Sequence, residues 1–204
     1  MRMISIKSAV GRPLLSAVYW TLVRLSTRYE LRGIRIADST VDGGDPNIRI
    51  RLDEALDLLQ RTSPRHFERV RKAFSCVLVE KFSGPSFIPI ARICILSRSL
   101  VIDGDVADIC LLLMHEATHD RLNRLGFRYE PEMRARIERL CVLAELDLAR
   151  VLPDSERLIA VRLNIMEREW WTPAAQAKRA MWEIEQRVQS RFWSKVIQAL
   201  LRPR

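Results

Sequence analysis

A chain of 204 residues with 48% apolar and 29% charged side chains can form one domain with a real hydrophobic core, and its 7 glycines and 9 prolines exclude fibrous and low-complexity classes. The 34 basic and 25 acidic residues leave a net charge of +9, which favours acidic partners. Because Arg and Lys alternate with Asp and Glu along the whole chain, the pattern fits a solvated basic surface better than a nucleic-acid site.

Taken in order, the chain opens with Arg2, Lys7 and Arg12 ahead of an apolar run from Pro13 to Val23. That run is too short for the ~20 residues that cross a bilayer, and no small-residue cleavage site follows it. From Leu14 to about Tyr29 the apolar positions recur at helical spacing, with Gly33 as the stop, so residues 1–40 read as an N-terminal helical region. Packing on the core is its expected role, and peripheral contact with a membrane surface is the alternative. The turn-rich stretch from Val41 to Asn47 leads into Ile48-Arg49-Ile50-Arg51-Leu52, whose strict alternation predicts a short strand. Helical patterns resume from Asp53 to Gln60 and again after Ser63-Pro64. Arg65, Arg69, Arg71 and Lys72 make that second helix the most basic short segment, without interleaved aromatics that could stack on bases.

Strand-like runs follow from Ser75 to Phe82 and from Ala91 to Ser97, separated by a Ser-Gly-Pro-Ser turn and a Pro-containing connection. A long helix is expected from Asp105, apolar through Ile109 to Met114 and stopping at Gly126. Pro131 restarts a helix that runs to about Val151 and returns antiparallel. Residues 154–204 read as two further helices packing on the core, the last starting at Thr172-Pro173 with an apolar stripe of Met181, Ile184, Val188, Phe192, Val196 and Ala199. Trp170, Trp171, Trp182 and Trp193 fall off that stripe and cap a core or face a partner. The expected fold is therefore α+β: a single, mainly helical domain over 1–204, with a small sheet ahead of the long helix. Cys76, Cys94, Cys110 and Cys141 stand singly in apolar surroundings with no CxxC pair, as buried thiols do in a reducing compartment such as the cytoplasm.

The chemistry concentrates in His115-Glu116-Ala117-Thr118-His119. Histidines four apart on a helix project from one face, so two neutral imidazoles can converge on one ion, and zinc is the expected cofactor. Glu116, beside the first histidine, can take a proton from a water that zinc activates and return it to a leaving amine. A catalytic zinc needs a third protein ligand and an open position. His66 is the remaining imidazole, and a solvated surface histidine is its simpler reading. Cys141 could offer a thiolate, although a buried structural thiol is the commoner fate of a lone cysteine on an apolar face. Asp147 points to the far side of its helix. Tyr129, between the two helices, is a candidate oxyanion stabiliser.

These five residues resemble the active-site motif of the zincin metallopeptidases, over about Ala91 to Val151. The chain departs from the usual zincin pattern at Asp120 and Arg121, where an uncharged and then a hydrophobic residue are usual. Leu125 stands where metzincins carry a third histidine, which excludes that branch. The gluzincin pattern, in contrast, draws a glutamate from the next helix. With a stop near Gly126 and a restart at Pro131, the level of the metal on the returning helix falls near Glu138, while Glu145 lies ~10 Å further along the axis. Glu138 is therefore the expected third ligand, and Glu145 the alternative or the acceptor for the free N–H of His115. The resemblance also implies a peptide or protein substrate held in extended form along Ala91 to Ser97 as an edge strand. A non-catalytic metal-containing or basic-surface binding protein, with a protein, nucleic-acid or anionic membrane partner, is the rival reading.

Overall fold

The computed structural model describes residues 7–40, 44–81, 84–167 and Thr172. Its centre is a five-stranded sheet of order β1-β2-β3-β5-β4, made of β1 (Thr27–Leu31), β2 (Ile34–Asp38), β3 (Cys76–Glu80), β4 (Ser86–Ile88) and β5 (Ile93–Ser97). Strands β2, β3 and β5 run parallel, and each edge strand is antiparallel to its neighbour. Among the described residues there are seven helices: α1 (Lys7–Leu25), α2 (Pro46–Thr62), α3 (Pro64–Ala73), α4 (Arg98–Asp103), α5 (Val106–Arg124), α6 (Pro131–Ala149) and α7 (Ser155–Glu167). The α+β class with one small sheet is as the sequence predicts.

Both faces of the sheet are covered, which is why its central strands are continuous apolar runs. Val77 and Val79 of β3, with Cys94 and Leu96 of β5, pack on α2, α3 and α5 in the larger core. The alternate residues Cys76, Leu78, Ile93 and Ile95 meet Tyr19, Leu22 and Val23 of α1 on the other face. The second half of α1 thus buries its apolar positions against the sheet. Among the described residues, no helix is long and apolar enough to cross a membrane.

Three sequence expectations are corrected here. The first helix ends at Leu25 rather than near Tyr29, and Gly33 is not a helix stop. It sits with Arg32 in a two-residue turn, both at positive φ (49° and 78°), that joins β1 to β2 with Leu31 opposite Ile34. Such a turn matches the twist of a hairpin, and Thr27 to Leu31 alternates accordingly. Second, Ile48 to Leu52 is helical. Asp45 caps α2 by accepting from the Asn47 amide at 3.0 Å, and Pro46 occupies the first helical position. Ile48 and Leu52 are buried four residues apart while Ile50 is exposed, so helical burial overrides the alternation. Third, Ala91 to Ser97 is not an edge. Ser86 to Ile88, the last residue of the presumed turn and the first of the Pro-containing connection, form β4 outside β5, and β4 is the edge strand on that side.

The motif helix follows its predicted limits closely. Asp105 caps it through the Ala107 amide at 3.1 Å. At its end the Gly126 amide donates to Asn123 O and the Phe127 amide to Leu122 O, both at 3.0 Å, with Gly126 at φ +88°. This double bond pattern closes a helix through a left-handed residue, a conformation that glycine adopts without strain. The apolar stripe from Met181 to Ala199, and Trp170, Trp171, Trp182 and Trp193, lie outside the described residues.

Candidate metal centre

Helix α5 is buried on nearly every side from Ile109 to Thr118, so its two histidines are held by packing before any ion is considered. His115 and His119 face α6, and their Nε2 atoms lie 3.1 Å apart. Glu138 approaches the same point from α6, with Oε2 3.3 Å from His115 Nε2 and Oε1 3.7 Å from His119 Nε2. Metal–ligand bonds of ~2.0–2.1 Å in tetrahedral geometry separate neighbouring ligand atoms by roughly 3.3 Å. The two nitrogens and the carboxylate therefore span a triangle of the size a zinc ion requires. The buried Glu138 Oε2 has His115 Nε2 beside it at 3.3 Å, and a cation between the two would engage both.

Glu145 sits on the other side of the His115 ring. Its Oε1 lies 2.6 Å from His115 Nδ1, so it fixes the ring and leaves Nε2 pointing at Glu138 and His119. The two glutamates thus flank opposite ring nitrogens. Burial disfavours charge on His115, but the carboxylates of Glu138 and Glu145 outweigh it and hold its pKa well above the ordinary value. Burial and the neighbouring His115 push His119 down to about 4. Glu138, despite burial, is held below the usual carboxylate range by the two imidazoles and Tyr129.

Tyr129 donates its hydroxyl to Glu138 Oε1, and its ring meets His119 edge-on with centroids 5.5 Å apart. In this arrangement the hydroxyl orients the carboxylate. Glu116 is buried, 3% exposed, and burial together with its charge pushes the Cys94 thiol on β5 well up. Cys141 is closer to the centre than its sequence setting suggests: its Sγ and a ring nitrogen of each histidine lie within 4.8 Å of one another. Burial, and then the charges of Glu138, Glu116 and Glu145, push this thiol far up, so it stands protonated in the metal-free protein. His66 is elsewhere, between Ser63 Oγ at 2.6 Å and the exposed Asp147 at 3.4 Å. Of the basic segment on α3, Arg71 and Lys72 pair with Glu68, while Arg69 turns inward to Thr118 Oγ1 at 3.5 Å.

Asp120 and Arg121, the two departures from the zincin pattern, have different fates. Arg121 is exposed. Asp120 is wholly buried and held between Arg92 at 3.3 Å and Arg124 at 2.8 Å, and Arg92 also donates to the Ala73 carbonyl at the end of α3. The aspartate thereby ties the motif helix to the turn before β5. Asp120→Ala is expected to lower the unfolding free energy by about 2 kcal/mol in a urea titration, since charged hydrogen bonds are lost while both arginines can resolvate.

Sequence reasoning missed Arg162. This α7 residue is only 5% exposed, and its Nε donates to Glu145 Oε2 at 2.5 Å while Nη2 donates to Asp108 Oδ1 at 2.9 Å. It locks the carboxylate that locks His115. An arginine in the middle of a helix expected to pack on the core is the available signal, but nothing in the sequence indicates which carboxylate it meets. Arg162→Met is expected to weaken the binding of any ion held at this centre about tenfold, with zinc as the probe in competition with a chromophoric chelator and Arg162→Lys recovering part of the loss.

No family model, curated protein or solved structure matches this chain.

Proposed function

We propose that the chain is a zinc-dependent hydrolase of zincin type, acting on peptide bonds, with His115, His119 and Glu138 as the zinc ligands and Glu116 as general base and acid. The observation that carries the reading is the convergence of two imidazole nitrogens 3.1 Å apart on a buried carboxylate, with a second carboxylate fixing the first ring from behind. Zinc, when bound, supplies Lewis-acid polarisation of a carbonyl and activates water at neutral pH. The side chains do the rest. His115, oriented by Glu145, presents Nε2 as a lone-pair donor, and Glu138 is aligned by Tyr129. Glu116 accepts the proton of the attacking water and passes it to the departing amine. Strand β4 packs against α5 and lies at the sheet edge, so its main chain can pair with an extended peptide. The buried thiols accord with a cytoplasmic location.

An unbiased peptide library is the test. Zinc-loaded protein is expected to cleave members of it, with cleavage lost on chelation and restored by zinc; an inert zinc-loaded protein would overturn the reading.

The grouping of Cys141 Sγ with the ring nitrogens of His115 and His119 favours one alternative: a site that Cys141 helps to close, with Glu138 as the remaining ligand, in a non-catalytic protein whose basic surface engages its partner. Cys141→Ser separates the two. The open site keeps its zinc in this variant, whereas a closed one loses affinity on the order of a hundredfold.

A further inference from the structure

Arg134 stands one helical turn before Glu138, so both side chains leave α6 on the same face. Its guanidinium carbon lies 5.2 Å from the centre of the Tyr129 ring. That same ring meets His119 at its edge and donates its hydroxyl to Glu138. Tyr129 is thus a shared wall between the metal-ligand candidates and the arginine.

Other arginines near the motif helix are tied to carboxylates: Arg92 and Arg124 to Asp120, Arg157 and Arg162 to Asp108. Arg134 is different. Among the described residues no carboxylate pairs with it, and its Nε is closed off from solvent without an acceptor. Stacking on an aromatic face fixes the plane of the guanidinium, and the terminal nitrogens then form a rigid fork suited to a carboxylate. The chain around it is also basic. Residues 121–139 carry six arginines against three glutamates, one of which is Glu138 itself.

We propose that Arg134 determines specificity by binding a carboxylate of the substrate beside the bond to be broken, so that the site selects peptides bearing an anionic group at that place. The proposal rests on the hydrolase reading above. The carboxylate can be a free C-terminus or an acidic side chain, and both present the same two oxygens to the fork.

Matched peptides built on a sequence that the zinc-loaded protein cleaves distinguish these sources: free or amidated at the C-terminus, and with Glu or Gln next to the cleaved bond. Wild-type protein is expected to favour the carboxylate-bearing member of one pair by roughly 10- to 100-fold in kcat/KM, the range of a charge-assisted hydrogen-bonded pair. Arg134→Gln abolishes that preference, leaves the neutral peptides as they were and retains one equivalent of zinc. Binding of the same peptides to Glu116→Gln protein, followed by fluorescence anisotropy, shows the same ranking without turnover. Equal treatment of both members of each pair by wild type, or a preference that survives Arg134→Gln, overturns the proposal while leaving the hydrolase reading intact. If the zinc-loaded protein cleaves no peptide in the library, the hydrolase reading fails and this proposal with it.

Discussion

Glu116→Gln is expected to keep zinc at the wild-type stoichiometry and to lower kcat on a cleaved peptide about a thousandfold, within the range that a positioned acid–base group contributes. The substitution preserves size and hydrogen-bonding reach but removes the ability to take a proton. Glu116 neighbours His115 in sequence and projects about 100° around the helix from it, so it need not share the line of ligands formed by His115, His119 and Glu138. KM should change little, because the lost interaction develops in the transition state. Glu116→Asp, which retains a carboxylate one methylene short, should fall between the two. A variant that loses its zinc would instead make Glu116 a ligand, and one that keeps full turnover would remove it from the chemistry.

The second large effect separates the two glutamates of α6. Glu138→Gln is expected to weaken zinc binding on the order of a thousandfold, because the proposed site would lose one of its three ligands. Glu145→Gln should cost roughly 10- to 100-fold, the usual consequence of removing the partner that orients a ligating histidine. The distances behind this ranking are specific: Glu138 lies on the Nε2 side of His115, where His119 also converges, and Glu145 lies on the Nδ1 side. Equal losses, or the larger loss at Glu145, would reverse the assignment.

How much of this was legible beforehand depends on which physical signal each element carries. The motif helix was readable because its ends carry chemical punctuation, a capping Asp105 and a left-handed Gly126, around a buried stretch. The return helix was readable for the same reason, through Pro131, and the short connection fixed the register that brings Glu138 opposite His119. The central strands β3 and β5 stood out as apolar runs. What failed were segments where two periodicities fit the same few residues. Ile48 and Leu52 satisfy both a period of two and a spacing of four, and the deciding signal was the Asp45-Pro46 start before them. Gly33 suits a helix stop or a hairpin turn, and only pairing with β2 decides. The contact of Arg162 with Glu145, 17 residues apart, depends on how helices roll against each other, which no local pattern records, whereas Cys141, a candidate thiolate one turn from Glu138, does lie beside the histidines.

Zinc-edge X-ray absorption fine structure on the zinc-loaded protein tests the central claim most directly. Nitrogen and oxygen neighbours only are expected, at ~2.0–2.2 Å, with the scattering of two imidazole rings. Failure to bind zinc, or a sulfur at ~2.3 Å from Cys141, would contradict it.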